Sequence, residues 1–194
     1  MLRGVAREWW PVSGEVPLAS KLLPRFASAV QVVIRHLFVS PGHNFRGHHG
    51  GPAGSHPTVG VEAITCRAGH GIEGDRYFDY RGDFKGQVSF LAWEVYLALI
   101  REFAVPALSP GALRRNAVLE GADLPALIGR QFSLGGVEFL GMEECRPCYW
   151  MDGAVAPGAE AWLLGRGGLR AKILTDGLLR TGATELRVHA PVTA

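Results

Sequence analysis

The sequence predicts a mainly β (α+β) fold, a mixed β-barrel with a few short helices. Short apolar, β-branched segments recur between turn signals along most of the chain. The few helical segments do not alternate regularly with them, as they would in a doubly wound sheet. Glycine is frequent, 26 of 194 residues, and such a content is typical of a turn-rich β architecture. Hydrophobic residues make up 47% and charged residues 20%, a composition that excludes a disordered chain.

Hydrophobic patterning gives the elements in order. Residues 30–39 are β-branched and apolar and stop at Pro41-Gly42, so they are predicted to form a buried strand. Residues 93–103 repeat apolar side chains at spacings of three and four, which predicts an amphipathic helix. Segments 131–134 and 137–140 flank Gly135-Gly136, a hairpin signal. The other predicted strands are 59–66, 88–91, 116–120, 169–174, 178–180 and 185–188. Short helical segments are predicted after the Ser109-Pro110 cap, at 124–128 and at 159–164.

Residues 1–29 differ in character from the rest of the chain. They carry four basic residues, three prolines and the pair Trp9-Trp10, and no apolar segment follows the charges as in a secretory signal. We expect a poorly ordered N-terminal extension here, because termini are loose unless something holds them. The alternative is a docking arm that packs Trp9 and Trp10 on a partner. Residues 30–194 are then predicted to form a single domain.

Charge and cysteine content narrow the function classes. A formal net charge of +2 is too balanced for a dedicated nucleic-acid-binding domain. No apolar stretch approaches the ~20 residues of a membrane-spanning helix, so neither nucleic acid nor membrane is an expected partner. Three cysteines are too few for a secreted disulfide scaffold, which makes the cytoplasm the expected location.

The segment 143–152 (EECRPCYWMD) carries the first candidate site. Cys145 and Cys148 have the CxxC spacing, which suits a soft metal, a redox disulfide or one reactive thiolate. Arg146 between them favours a thiolate, and the two preceding glutamates oppose it. The structural alternative is a pair of small buried residues, since free cysteine is often buried. The residues alone leave these alternatives open.

Polar segments elsewhere provide candidate ligand-binding residues. Arg114, Arg115 and Asn116 run into a predicted strand, and two guanidiniums beside an amide suit an anion, unless they are only rim charges of a solvated turn. Asp75 and Arg76 follow a glycine turn, where they either line a pocket or form an ion pair that shapes the loop.

A long loop rich in histidine and glycine, residues 41–58, has no periodicity. It holds four of the seven histidines, including His43 and His48, and imidazole is a common metal ligand. Their spacing matches no standard zinc motif. Unstructured loops of this length are uncommon unless functional or disordered, so a lid or pocket wall is expected, with a mobile polar loop as the alternative.

Taken in order, four segments resemble the MOSC domain, the family named for the C-terminal domain of molybdenum-cofactor sulfurases. They are GIEGDRYF at 71–78, RRNAVLEGADLPALIGRQFSLGGVEFLG at 114–141, CRPCYWMD at 145–152 and GRGGLRAKILTDGLLRTG at 165–182. The SPGHNFxGHH loop is similar to that of stand-alone bacterial members. The order and spacing of the segments are more specific than any one motif.

The resemblance implies a MOSC-like barrel and a molybdenum cofactor (molybdopterin). The family's functional cysteine matches Cys148, which implies a sulfur-carrying thiol or, as in amidoxime-reducing relatives, a molybdenum ligand. Arg114, Arg115 and Asn116 match the Arg-Asn segment near the pterin phosphate. We also expect four further residues to bind the cofactor: Asp75, Arg76, His43 and His48. We expect Cys145 to be a second catalytic thiol. Cys145 and the histidine loop are not general features of the family, so no family role applies to them.

Three functions follow as hypotheses. The first is a cofactor-binding or sulfur-carrier protein of cofactor metabolism. These residues do not resemble the family's pyridoxal-phosphate-dependent desulfurase domain, so the sulfur donor is expected to be a separate protein such as a cysteine desulfurase. The second is a small molybdenum enzyme that reduces N-hydroxylated compounds with an electron-donor protein. The third is a zinc-binding structural module built from Cys145, Cys148 and two loop histidines.

Overall fold

The computed structural model describes residues 26–46, 48 and 51–190, with the backbone alone for 26–28. The described strands are β1 Phe26–Val39, β2 Val59–Val61, β3 Ala63–Arg67, β4 Gly71–Ile72, β5 Val88–Ala92, β6 Ala117–Glu120, β7 Gln131–Leu134, β8 Val137–Glu144, β9 Leu169–Ile173, β10 Gly177–Arg180 and β11 Gly182–His189. The described α-helices are α1 Trp93–Glu102, α2 Trp150–Ala154 and α3 Ala159–Leu163. Short 3-10 helices cover Pro110–Leu113 and Pro125–Leu127.

Seven of the described strands close into a barrel, which confirms the predicted fold class. Their order is β1, β11, β7, β8, β9, β5 and β6, and β6 pairs again with β1. The closure depends on the length of β1. Its first part pairs with β11 (Val30 with Leu186), and after an irregularity between Ile34 and His36 its last part pairs with β6 (Leu37 with Ala117). A long strand that bends in this way serves two neighbours and leaves no open edge between them.

Strands β5 and β6 run parallel, whereas the other barrel pairings are antiparallel. A parallel pair needs a crossover connection, and α1 with the 3-10 helix Pro110–Leu113 provides it. Ser109 caps this 3-10 helix as predicted, because its hydroxyl accepts a hydrogen bond from the Gly111 N–H at 3.2 Å. The crossover delivers the chain to Arg114, just before β6.

The core has two parts. Inward side chains of the barrel strands form one cluster together with side chains of β3, β4 and β10, and it includes Phe90, Phe132 and Phe139 in mutual ring contact. Alternation along β9 puts Leu169, Ala171 and Ile173 inside and leaves the two residues between them facing outward. A second cluster packs α1, α2 and α3 against the outside of the barrel. Functional side chains on the barrel wall therefore lie between the barrel and this helical layer.

The predicted strand 59–66 is divided in the structure. A bend at Glu62 separates β2, which pairs with β1, from β3, which pairs with β10 and β4 in a second, three-stranded sheet. Strand β1 begins at Phe26, four residues before its predicted start, and residues 26–29 pair with β11. The remainder of the predicted extension, residues 1–25 with Trp9 and Trp10, lies outside the described residues and stays a prediction. Among the described residues no helix is long and apolar enough to cross a membrane.

Candidate functional site

A cavity of about 380 Å³ lies outside the barrel wall where β5 and β9 pair. Ser89 and Arg170 are partners in that pairing, and both line the cavity because their neighbours Phe90 and Leu169 point into the barrel. The other walls are the loop after β1, the loop between β4 and β5, the end of the crossover and the segment between β8 and α2. The lining residues are His43, Asn44, Phe45, Arg46, Arg76, Tyr77, Phe84, Gly86, Ser89, Leu113, Arg114, Arg115, Cys145, Arg146, Cys148, Tyr149, Trp150, Met151 and Arg170.

The cavity is strongly cationic. Six of its described lining residues are arginines, and none is an aspartate, a glutamate or a lysine. Guanidinium groups do not lose their charge at physiological pH, and they bind carboxylates and phosphates in a bidentate manner. The cavity is therefore suited to an anionic ligand with several oxygen acceptors.

Arg115 builds the cavity floor. Its guanidinium is buried and donates to three backbone carbonyls: Nε to Gly167 O at 2.9 Å, Nη1 to Leu113 O at 2.7 Å and Nη2 to Cys145 O at 2.8 Å. It forms no ion pair with another described residue. Arg115 thus ties the crossover, the turn before β9 and the cysteine segment together, and it leaves its positive charge to the cavity.

Arg114 faces a different wall because its backbone is left-handed, with φ 54° and ψ 41°. Its Nη2 donates to Ser40 Oγ at 3.0 Å and Gly42 O at 2.8 Å, and its Nη1 donates to Thr58 Oγ1 at 3.1 Å. Burial, together with the nearby charge of Arg76, lowers the pKa of Arg114 to about 10. At neutral pH it stays charged, and it anchors both ends of the histidine loop.

Asn116 and Asp75 lie behind the cavity wall. Asn116 Nδ2 donates to Asp75 Oδ2 at 3.1 Å, and its Oδ1 accepts from the N–H and the hydroxyl of Ser89 at 3.0 and 2.8 Å. Asp75 also accepts from Ser40 N at 3.1 Å and from Arg76 Nη1 at 3.4 Å. Every one of these contacts is internal, so the pair supports Ser89 and Arg76 from behind.

The two cysteines of the CxxC segment both line the cavity, with different exposure. Cys145 is buried, with its N–H bonded to Gly168 O at 2.8 Å and its carbonyl held by Arg115. Cys148 is exposed, at the start of the turn into α2, where its carbonyl accepts from Met151 N at 2.8 Å. Both are free thiols. The exposed Cys148 is the one that a large partner molecule can reach.

Arg170 lies beside the Cys145 sulfur, outside the barrel. Burial lowers its pKa, but the Cys145 thiol and Glu143 act in the opposite direction, and the net effect raises the pKa of Arg170. Its Nη1 pairs with Glu143 Oε1 at 3.2 Å, and Glu143 also binds Lys85. Hydrogen bonding to Lys85 lowers the pKa of Glu143. The chain of ion pairs from Lys85 through Glu143 to Arg170 therefore holds the Arg170 guanidinium, a positive charge, next to the buried thiol of Cys145.

Aromatic side chains complete the walls. The Phe45 and Trp150 rings are tilted, with centroids 5.0 Å apart, and the Tyr77 and Phe84 rings stack at 5.1 Å. The indole N–H of Trp150 is buried and has no hydrogen-bond partner in the described part of the chain. A buried donor without an acceptor is unfavourable, and a bound acceptor on a ligand would remove this cost.

The histidine loop folds over one side of the cavity. Asn44 fixes it, since its side chain exchanges two hydrogen bonds with the His56 backbone, at 2.7 and 2.8 Å. His43 lines the cavity, with its ring 4.9 Å from that of Tyr77. Burial, then the charges of Arg76 and Arg46, lower the pKa of His43. The predicted pocket wall is thus present, and its surroundings favour the neutral form of the imidazole.

The structure assembles most of the predicted site residues. His43, Arg76, Arg114, Arg115, Cys145 and Cys148 line one cavity. Asn116 and Asp75 lie behind it, and His48 is not among the lining residues.

Sequence reasoning gave no site role to several lining residues, chiefly Arg46, Tyr77, Ser89 and Arg170. The alternation of apolar and polar residues along β9 indicated that Arg170 faces away from the core. Only the pairing of β9 with β5 brings it to the cavity.

No group of three or more histidine, cysteine, aspartate or glutamate side chains arranged to hold a metal ion is present among the described residues. The zinc module of Cys145, Cys148 and two loop histidines therefore has no support within them. His43 lines the cavity that both cysteines line, yet these side chains form no such group.

The fold and the cavity define a β-barrel protein with a cationic, thiol-bearing pocket on the barrel wall. The MOSC domain model matches residues 46–189, about three quarters of the chain, and the chain belongs to the MOSC domain family. This family is associated with functions related to the molybdenum cofactor. No curated protein matches the chain significantly in sequence.

Solved structures share the fold. The YuaD protein from Bacillus subtilis is 21% identical, with a TM-score of 0.65 over 84% of this chain and 98% of that one. YiiM from Geobacillus stearothermophilus is 16% identical, with a TM-score of 0.61 over 84% and 78% of the two chains. YiiM from Escherichia coli is 18% identical, with a TM-score of 0.56 over 80% and 71%. At these identities the likeness concerns the fold alone.

Proposed function

We propose that this chain binds an anionic cofactor of the molybdopterin type in its arginine-lined cavity and carries sulfur on Cys148. One observation carries the proposal: an exposed free thiol lines a cavity whose described walls hold six arginines and no carboxylate. Six guanidiniums line this small site, and among the described residues only Arg76 and Arg170 pair with a carboxylate, which favours a multiply charged anion. A thiol beside that anion supports sulfur chemistry on the bound molecule.

The residues present fit such a cofactor. Its phosphate is a ligand for guanidiniums, and Arg46, Arg76 and Arg146 line the cavity with side chains of this kind. The unpartnered indole N–H of Trp150 can donate to an acceptor of the planar pterin, whose ring suits the aromatic walls. When bound, the metal of the cofactor supplies two-electron redox chemistry, and a cysteine thiolate is a soft ligand for it.

Sulfur loading requires only Cys148 and a donor persulfide. The Cys148 thiolate attacks the outer sulfur of the donor, a new S–S bond forms, and the donor thiolate leaves with the electron pair of the broken bond. The donor is proposed to be a separate persulfide-bearing protein such as a cysteine desulfurase. The exposure of Cys148 supports this step, because a macromolecular donor has to reach the sulfur that it loads.

Mass spectrometry of the intact protein tests the loading step. Immediately after brief treatment with glutathione persulfide, before any release, wild type is expected to gain the mass of one sulfur atom, mapped to the peptide with Cys148. Cys148→Ser is expected to gain none. Cys66→Ala is the matched control, because the Cys66 side chain is buried in the larger core cluster and does not line the cavity. Equal loading of wild type and Cys148→Ser would refute the assignment.

A second candidate, a molybdenum-dependent reductase of N-hydroxylated compounds, uses the same residues. The aromatic walls favour it, since the rings of Phe45, Tyr149 and Trp150 line the cavity together with Cys148 and offer apolar contacts to a substrate. It requires an electron-donor protein. Turnover of an N-hydroxylated base by cofactor-loaded protein with a chemical reductant distinguishes the enzyme from the carrier.

A further inference from the structure

Cys145 has no part in the loading step, although it lines the same cavity as Cys148. It is 6% exposed, too little for a macromolecular donor to reach. The third cysteine, Cys66, provides the contrast. It lies on β3 of the second sheet with its side chain in the larger core cluster, it does not line the cavity, and its burial raises its pKa to about 12. Two of the three cysteines therefore face one space, one from within and one from the rim.

The backbone holds the two thiols in a fixed relation. Cys145 is bonded on both sides, by its N–H to Gly168 and by its carbonyl to Arg115. The buried ring of Pro147 restricts the link between the cysteines. Cys148 is held by its carbonyl at the start of α2. The two cysteines therefore sit three residues apart on a tied segment, and both side chains line one cavity.

The charge next to Cys145 suits an attacking sulfur. The Arg170 guanidinium lies beside it, and the side chains of Glu143 and Lys85 fix that guanidinium in place. The thiolate is the nucleophilic form of cysteine. Carboxylates are absent from the described walls of the cavity itself, so nothing there repels a leaving anion.

We propose that Cys145 is the resolving thiol that releases the sulfur carried by Cys148. The inference rests on the proposed sulfur-carrier function and adds its second step. The Cys145 thiolate attacks the inner sulfur of the Cys148 persulfide, and the Cys145–Cys148 disulfide forms. The bond between the two persulfide sulfurs breaks, and the outer sulfur leaves as hydrosulfide with its electron pair. The Cys145 sulfur is oxidised while the outer sulfur is reduced to hydrosulfide, and the Cys148 sulfur keeps the oxidation level that it gained on loading, so no outside oxidant is needed.

Two consequences follow from this chemistry. The hydrosulfide is released inside the arginine-lined cavity, where an anionic acceptor would be bound. The disulfide has to be reduced by a dithiol before the next cycle, since loading needs a free Cys148. The carrier therefore consumes one dithiol for each sulfur that it delivers.

The test follows the fate of the added sulfur. Wild type, Cys145→Ala and the control Cys66→Ala are loaded with glutathione persulfide, freed of excess reagent and sampled over time. Released sulfide and the masses of intact protein and peptides are measured. Wild type and Cys66→Ala are expected to release sulfide and to form the Cys145–Cys148 disulfide. Cys145→Ala is expected to load normally and to release sulfide slower by about tenfold or more.

The outcomes separate the two proposals. If Cys145→Ala loads and releases sulfide at the wild-type rate, the resolving role is refuted and the carrier function stands. If Cys148 takes up no sulfur in any of the proteins, both are refuted. The disulfide in loaded wild type is a readout that needs no variant. Its absence after sulfide release refutes the resolving role even if Cys145→Ala fails to fold.

Discussion

Arg115 provides the sharpest test of how the cavity is built. Its buried guanidinium satisfies three carbonyl oxygens from three separate segments, at 2.7 to 2.9 Å. A hydrogen bond to a charged group contributes about 1.5–3 kcal/mol, and truncation leaves buried acceptors without donors. Water can enter through the open cavity and recover part of this loss. We therefore expect Arg115→Ala to lower the free energy of unfolding by about 4 kcal/mol, near the low end of the sum.

Urea unfolding monitored by tryptophan fluorescence measures the effect. The midpoint is expected to fall while the slope with denaturant stays constant, because the fold itself is retained. Arg115→Lys keeps the charge but lacks the fork that reaches three directions, and about half of the loss is expected. Arg146→Ala is the matched control, since it removes an exposed arginine from the same cavity. If Arg115→Ala costs no more than Arg146→Ala, the assigned role of Arg115 is wrong.

Three further predictions concern two glycine substitutions, the pKa of His43 and the labelling of the cysteines. Gly168→Ala is expected to cost about 3 kcal/mol or more in thermal unfolding, since its Cβ would lie 2.0 Å from a backbone oxygen of β5. Gly165→Ala, with similar positive φ but open space, should cost only about 1 kcal/mol, and equal losses would contradict this. The pKa of His43, measured by NMR, is expected to lie below its ordinary value of 6.5. Bound sulfate is expected to raise this pKa, so the affinity for sulfate should increase as the pH falls and His43 takes up a proton. An unchanged His43 titration would count against anion binding here. Iodoacetamide should label Cys148 in the native protein and Cys66 only after unfolding, because burial raises the Cys66 pKa to about 12; early labelling of Cys66 would contradict its burial.

Local periodicity predicted most of the elements, because each was encoded within its own residues. The three- and four-residue spacing gave α1, and Gly135-Gly136 gave the hairpin of β7 and β8. Helix α2 was missed, since its five residues follow a proline-containing cysteine segment that is typical of a loop. The division at Glu62 was also missed, because both halves carry the same apolar pattern and only their different partners separate them.

The sequence predicted which residue types belong to the site, but not which of them line the cavity and which support its wall. Cys148 and Arg76 have residue types that indicate binding, and both line the cavity. Asn116 and Asp75 have the same indication, yet their side chains bond to each other behind the wall. A buried polar pair and a ligand-binding pair look alike in sequence, because burial depends on distant segments. Arg170 could be assigned only from the pairing of β9 with β5.

The arginine-lined cavity is proposed to bind the cofactor next to Cys148. Its most direct test is the retention of isolated molybdenum cofactor by the untagged protein after gel filtration, with molybdenum and pterin measured together. Wild type is expected to retain both in equal amounts, and the double variant Arg46→Ala, Arg146→Ala to retain much less of each. If wild type retains neither, or if the double variant retains as much as wild type, the cavity is not the cofactor site.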